Sequence, residues 1–262
     1  MRLVSWNVAG RARRAAEQAR VLRSIEPDVV CLQEVTPRSA GAWQALLSDA
    51  GFMALMPEMP RVRESSRPLA VLTAARELEA CAQVEDVPWP ERVLAARVGG
   101  VEVVNVHSPV SEKPELAKVR THEAVFRHLA TGEGPRFVCG DLNTPRREHA
   151  DGGVWTFART NRGILRRERG ERHDAAEYAL IRGLEPRGFR DAFRTLHGFG
   201  SREATWEWPR GGGYRLDHLI VSPELEVFGC SYRHDWRREL RLSDHSALVA
   251  ELAPAGRPRS LG

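Results

Sequence analysis

The chain repeatedly ends short apolar runs in acids, amides or imidazoles, from one terminus to the other. The runs are RLVSWN ending in Asn7, VVCLQE ending in Glu34, VEVVNVH ending in His107, RFVCGDLN with Asp141 and Asn143, YRLDHLIVS with Asp217, and LSDHSALVAEL with Asp244 and His245. Short runs rich in β-branched residues read as buried strands. Polar groups placed at strand end after strand end converge on one edge of a sheet. Carboxylates, carboxamides and histidines without cysteine suit a hard divalent cation and general acid–base chemistry. The combination predicts metal-assisted hydrolysis.

A chain of 262 residues, 42% hydrophobic and 28% charged, is enough for one α/β domain with a proper core. That domain is expected over residues 1–253, followed by a short Pro/Arg/Gly tail at 254–262. The apolar runs are too short to span a bilayer, and the N-terminus enters the first strand without the features of a signal peptide. A cytoplasmic protein with no membrane insertion is expected. Cys31, Cys81, Cys139 and Cys230 form no C-x-x-C pair and read as small core residues in a reducing compartment.

The net charge of +4 comes almost entirely from arginine, since Lys113 and Lys118 are the only lysines. Eight arginines lie in the stretch directly after GDLN: Arg146, Arg147, Arg159, Arg162, Arg166, Arg167, Arg169 and Arg172. Set against Glu148, Asp151, Glu168 and Glu171, they give this stretch a net +4, equal to that of the whole chain. A basic segment beside a hydrolytic site suggests a polyanionic substrate, and a solvated loop is the plainer reading.

Strands are expected at Arg2–Asn7, 28–34, 69–73, 93–98, 101–107, 136–140, 216–222 and 246–252, with Trp206 in another. Helices are expected over 11–25, after Ser39 as a cap, after Ser111 as a cap, and over 174–183. The inner face of the third would carry Leu116, Val119, Phe126 and Leu129. Residues 146–172 read as a long basic loop. Strands outnumber helices and fall into two groups along the chain, 2–107 and 136–252, which suits two packed sheets with helices outside.

In their order and spacing, these motifs resemble the endonuclease/exonuclease/phosphatase superfamily, which includes DNase I, exonuclease III-type nucleases, inositol polyphosphate 5-phosphatases and sphingomyelinases. The resemblance runs from Arg2 to about Leu252. It implies a four-layered α/β sandwich, in which two packed mixed β-sheets are flanked by helices and one site lies at the shared sheet edge. Glu34 becomes the principal Mg²⁺ ligand, with Asn7 and Asp244 nearby and Mn²⁺ an acceptable substitute. Taken alone, a salt bridge to an arginine is the lesser reading of Glu34, and a turn former is the usual reading of Asn7.

The resemblance also implies that Asp141 orients the attacking water or stabilises the leaving oxygen, and that Asn143 donates its amide to the phosphate. Asp217 would orient His245, although Arg215 is a competing partner. His218 reads as structural. His107 corresponds to the phosphate-binding histidine of the DNase I-like branch, with Glu91 as its carboxylate partner. Exonuclease III-type abasic-site endonucleases carry a tyrosine motif there, which this chain lacks. The segment DAFRTLHG, followed by ATWEWPRGGGYRLDHLIVSP, leans the other way, toward the exonuclease III arrangement. Trp206 and Trp208 can stack on a base or sugar or simply fill core, and Arg67 can reach a phosphate. The implied function is a Mg²⁺-dependent phosphodiesterase acting on nucleic acid, with no obligate protein partner. A phosphatase or phosphodiesterase on a small phosphorylated metabolite or phospholipid headgroup is the alternative, and a non-catalytic binding protein ranks last.

Overall fold

The alternation of side chains along the strands builds both sheets. In the computed structural model, which describes residues 1–60 and 67–256, the first sheet runs β15 (Leu225–Arg233), β16 (Ala247–Pro254), β1 (Arg2–Asn7), β2 (Val29–Val35), β4 (Ala70–Ala75) and β3 (Met53–Leu55). The second runs β11 (Arg190–Asp191), β14 (Asp217–Val221), β8 (Arg136–Asp141), β7 (Val101–His107), β6 (Val93–Val98) and β5 (Glu79–Ala80). Two short ribbons stand apart: β9 (Arg147–Glu148) with β10 (Val154–Trp155), and β12 (Trp206–Glu207) with β13 (Gly213–Tyr214). The β1–β2 and β7–β8 pairs are parallel and the rest antiparallel, so both sheets are mixed.

The sheets pack face to face through Leu3, Val29 and Cys31 on one side and Val103, Phe137, Cys139, Leu219 and Val221 on the other. Outside the first sheet lie α1 (Ala15–Arg23), α2 (Pro37–Ser48) and α6 (His234–Arg238), which bury Ala19, Leu22, Trp43, Leu47 and Trp236. Outside the second lie α3 (Ala117–Thr131) and α4 (Gly170–Tyr178), and α3 buries Ala124, Val125 and Leu129 there. A last short helix, α5 (Ala192–His197), adds Ala192 and Phe193 to the inner core. The expected four-layered sandwich forms.

Strand register sorts the inner face into tiers. Leu3 pairs with Val29, Ser5 with Cys31, and Asn7 with Gln33. Across the sandwich Phe137 lies between Val103 and Val221, Cys139 between Asn105 and Leu219, and Asp141 between His107 and Asp217. Each tier steps two residues along every strand, the period at which side chains return to one face. The innermost tier is apolar, the middle tier mixed, and the last carries the chemistry.

Several expectations are corrected. The two strand groups do not map onto the two sheets. The chain builds most of the first sheet by residue 75, builds the second through residue 221, and then returns to the first with β15 and β16. The nine-residue β15 is an additional strand, whose alternation is broken by Gly229, beside which its register with β16 shifts. Helix α2 is capped by Thr36 rather than Ser39, which instead completes the capping box from its third position. Ser111 caps nothing: α3 starts after Leu116, which is exposed and in the left-handed conformation. The basic stretch includes the β9–β10 ribbon, and α4 begins at Gly170 rather than 174. Most of the expected tail, residues 257–262, lies outside the described residues. Among the described residues no helix is long and apolar enough to cross a membrane.

Candidate active site

Two backbone devices bring the last tier together. Gly140 has φ +127°, and a Cβ there would sit 2.0 Å from the Val106 carbonyl oxygen. Only glycine lets β8 approach β7 this closely while setting Asp141 opposite His107. Glu34 follows the inward-facing Gln33, so regular alternation would turn it outward. A bulge between Leu32 and Val35 interrupts the ladder, and Glu34 itself sits at φ +59°. The bulge re-aims the carboxylate toward the site.

The side chains then interlock. The Asn7 amide donates to Glu34 Oε1 at 3.2 Å and to Asp141 Oδ2 at 3.0 Å. His107 Nε2 lies 3.6 Å from Glu34 Oε1 and 3.9 Å from Asp141 Oδ2. His245 Nδ1 is 2.9 Å from Asp217 Oδ2, and its Nε2 faces Asp141 Oδ2 at 3.8 Å. Asp141 Oδ1 accepts the Asn143 backbone N–H, while the Asn143 amide donates to the Ser108 carbonyl. Asn7, Glu34, His107, Asp141, Asn143, Asp217 and His245 therefore form one connected cluster from strand ends and turns spread along the chain.

Burial and charge tune its protons. Burial pulls His245 toward neutrality, but the Asp217 and Asp141 carboxylates outweigh it and push the imidazole up to about 10. Burial pushes Asp141 up to about 7, against the opposing pull of His245, with Asp217 and Glu34 adding repulsion. His107 is held well below its ordinary value by burial and by the Arg92 and His245 charges. It is neutral at pH 7. Arg92 Nη1 lies 3.4 Å from His107 Nδ1. Arginine can only donate, so the proton of His107 sits on Nε2 and points toward Glu34 and Asp141.

The remaining expected residues lie around this cluster. Glu91 is buried in the turn just before β6, and its neighbour Arg92 supplies the side chain at His107 Nδ1. Asp244 is exposed at the rim, where its charge helps raise His245. The Arg67 guanidinium reaches the turn at Gly10, just beyond Asn7. Trp206 forms a backbone bridge with His245, packs edge-on against Trp208 at 4.4 Å, and lies parallel to Tyr214. Trp208 is exposed. His218 is buried, with Nε2 donating to the Thr144 carbonyl at 2.8 Å and Nδ1 facing Asp191, in keeping with a structural role.

Two buried ionic clusters grip the GDLNTP loop; the first lies outside the motifs read along the chain, and the second includes Asp191 and Arg194 of DAFRTLHG and Arg215 and His218 of YRLDH. On one side Glu177 accepts from Lys118 and His173 and from Thr144 Oγ1 at 2.6 Å, while Lys118 donates to the Asn143 carbonyl at 2.6 Å. Asn143 is itself at φ +51°, so this grip holds a strained residue. On the other side Glu148 binds Arg194 and Arg215, Arg215 also binds Asp191, and Asp191 orients His218 against the Thr144 carbonyl. A further seam of amides, Gln33 to Asn105 at 2.8 Å, joins the two sheets beneath the site. A polar residue at an inward strand position is the available signal for Gln33 and Asn105. Lys118 and Glu177 lie on helices and carry none.

The basic stretch is more nearly neutral than its composition suggests. Arg159, Arg166, Arg169 and Arg172 pair with Asp174, Glu168, Glu112 and Glu123.

The donors suit a hard cation. Asp141, Asp217 and His245 each offer a ligand atom within 4.8 Å of the others, and Asp217 Oδ1 is buried with no hydrogen-bond partner among the described residues. However, the 2.9 Å contact between His245 and Asp217 is a hydrogen bond, and the imidazole cannot ligate through the nitrogen that donates it. The Glu34 and Asp141 oxygens, both held by Asn7, remain available as oxygen donors.

A family model described as the endonuclease/exonuclease/phosphatase family matches residues 4–245. Among solved structures, an AP endonuclease from Archaeoglobus fulgidus is 23% identical, with a TM-score of 0.72 over 96% of this chain and 98% of that one. A variant of the 3′ phosphatase NExo from Neisseria, bound to a product DNA hairpin, is 22% identical with a TM-score of 0.67, covering 97% and 99%. A humanized D. rerio TDP2 is 15% identical with a TM-score of 0.61, covering 97% and 98%. No curated protein matches the sequence.

Proposed function

Because the chain belongs to the endonuclease/exonuclease/phosphatase family, we propose that it is a Mg²⁺-dependent phosphodiesterase that hydrolyses nucleic acid. The observation that carries this reading is the joining of a His245–Asp217 pair to a Glu34–Asn7–Asp141 group in one cluster. Glu34 would hold the cation, with Asn7 beside it and Asp244 at the rim, leaving the Asp141 carboxylate for proton transfer. Once bound, a divalent cation would neutralise charge developing on the phosphate oxygens.

The chain's own residues divide the remaining work. Asp217 holds the His245 imidazole so that Nε2 faces the reacting phosphate, where the charged ring stabilises the oxygen. Asp141, raised to about 7 by burial, is the group placed to take the proton of the attacking water near neutral pH. His107, neutral with its proton on Nε2, and the Asn143 amide donate to non-bridging oxygens without adding charge. Trp206 and Trp208 offer aromatic faces for a base or sugar beside His245, and Arg67 a charge for a flanking phosphate. The product DNA bound by the Neisseria protein supports a nucleic-acid substrate over a small phosphoester.

The test is hydrolysis of plasmid DNA, oligonucleotides, RNA and phosphoinositides with Mg²⁺, Mn²⁺ or chelator. His245→Ala and Glu34→Ala are each expected to lose at least about 10³-fold in turnover. Full activity in either purified variant, or in chelator, overturns the mechanism. Turnover of phosphoinositides alone overturns the substrate.

A further inference from the structure

Beside the catalytic loop, residues 145–150, 199–203 and 213–215 enclose a cleft of about 440 Å³. Five arginines line it, and they are not equivalent. Arg194 and Arg215 are buried and cancelled by Glu148 and Asp191. Arg146, Arg147 and Arg202 have no carboxylate within 4 Å among the described residues, and the lining acid Glu203 is engaged by His234. The cleft therefore keeps three arginine charges that pair with no carboxylate among the described residues, against the single charge of Glu203, and is positive on balance.

Two of them are also ordered in advance. Arg146 is held by the Asn161 side chain and lies over the Phe157 ring, and Arg147 lies over Trp155. Neutral and aromatic partners restrict a guanidinium without cancelling its charge, which lowers the entropy lost when it binds an anion. The paired arginines of the same stretch are spent on carboxylates, so much of the excess that survives folding is concentrated here.

The cleft opens beside the reacting centre. Pro145 lies two residues after Asn143, and Tyr214 stacks parallel to Trp206, whose backbone bridges His245. We propose that this cleft receives the backbone phosphate next to the scissile one, and that the substrate is therefore a polynucleotide strand rather than an isolated phosphoester. The proposal rests on the phosphodiesterase reading above. It assigns the cleft to a chemical class, repeated phosphates at nucleotide spacing, that a lone metabolite cannot offer.

The experiment compares Arg146→Ala/Arg147→Ala/Arg202→Ala with wild type on a single-stranded oligonucleotide and on bis(p-nitrophenyl) phosphate. Arg162→Ala/Arg167→Ala, in the same stretch but outside the cleft, controls for loss of bulk charge. The ratio of kcat/KM for oligonucleotide to that for the small diester is expected to fall about 10–100-fold in the triple variant, mostly through KM. The dependence of log KM on log salt is expected to flatten by about 2. An unchanged ratio, or an equal fall in the control, overturns the proposal. If wild type hydrolyses neither substrate, the phosphodiesterase reading fails separately. Anisotropy of a fluorescent oligonucleotide then decides the cleft: salt-sensitive binding lost only in the triple variant supports it, and binding equal in all three proteins overturns it.

Discussion

The half of the site on the first sheet is held differently from the half on the second. Asn7 and Glu34 are supported by neutral groups: Ser243 donates to the Asn7 carbonyl, the Ala9 N–H donates to its amide oxygen, and Asn7 in turn is the hydrogen-bond donor to Glu34. On the second sheet the turn at Asn143 and Thr144 stands on ions, with Lys118–Glu177 on one side of the loop and Glu148–Arg215–Asp191, through His218, on the other. Neutral supports let Glu34 remain partly exposed and available to a cation. Ionic supports fix a loop whose Asn143 backbone is unfavourable by itself. The first half is built for ligand exchange and the second for fixed geometry.

The largest expected effect separates the halves by separating activity from stability. Glu34→Gln should lose about 10³-fold or more in turnover while thermal stability moves by no more than about 0.5 kcal/mol. Parallel kinetics and melting curves check this, and a large fall in stability would place Glu34 in the rigid half. Glu177→Gln should do the reverse in stability. It leaves Lys118 buried without its counter-charge, at about 3–5 kcal/mol. Replacing both as Lys118→Met/Glu177→Leu should recover in urea unfolding only the part of that loss due to the unpaired Lys118 charge, and should not restore kcat, because Thr144 Oγ1 and the Phe157 N–H lose their acceptor and the Asn143 carbonyl its donor.

Acid should strike the second half next. Burial raises Glu148, but Arg215 and Arg194 outweigh it and hold its carboxyl down at about 2. Glu177, through Lys118 and His173, and Asp191, through Arg215 and His218, are also held well below the carboxylate range against burial. A depressed folded value means that stability is complete above the unfolded value near about 4.3 and is lost as pH falls toward about 2. Glu148 alone accounts for something on the order of 3 kcal/mol. Urea midpoints measured from about pH 6 to about pH 3 should fall steeply in wild type and less steeply in Glu148→Gln. Equal slopes would show that these ions do not set the acid limit. The smallest effect concerns the bulge. Glu34→Gly should be more stable than Glu34→Ala by about 0.5–1 kcal/mol, since glycine accepts φ +59° without strain. Chemical unfolding of the two variants side by side checks this.

Much of this is legible in the sequence because side-chain alternation is a local property. Asn7, His107, Asp141 and Asp217 follow apolar residues at even spacing on strands that read clearly, so their meeting at one edge follows once the strands pair. Asp217 as partner of His245, rather than of Arg215, requires the register that sets Asp217 opposite Asp141. The strand β15 stays hidden because its register breaks beside Gly229, and Ser111 mimics a cap because the loop that buries it beside Glu177 is formed by elements far away in the chain. The arginine stretch shows its charge in the sequence, but the cancellation of Arg159, Arg169 and Arg172 depends on carboxylates brought to it by folding.

By itself, the order of residues determined the layered architecture, the strand ends that bear the chemistry and the oxygen and nitrogen character of the donors, since these follow from periodicity and side-chain type. Only the tertiary structure decided the proton on His107 Nε2, the raised values of Asp141 and His245, the ions beneath the catalytic loop and the three arginines that keep their charge. Those properties depend on burial and on distances of a few ångströms between residues far apart in the chain, and no local pattern encodes such distances.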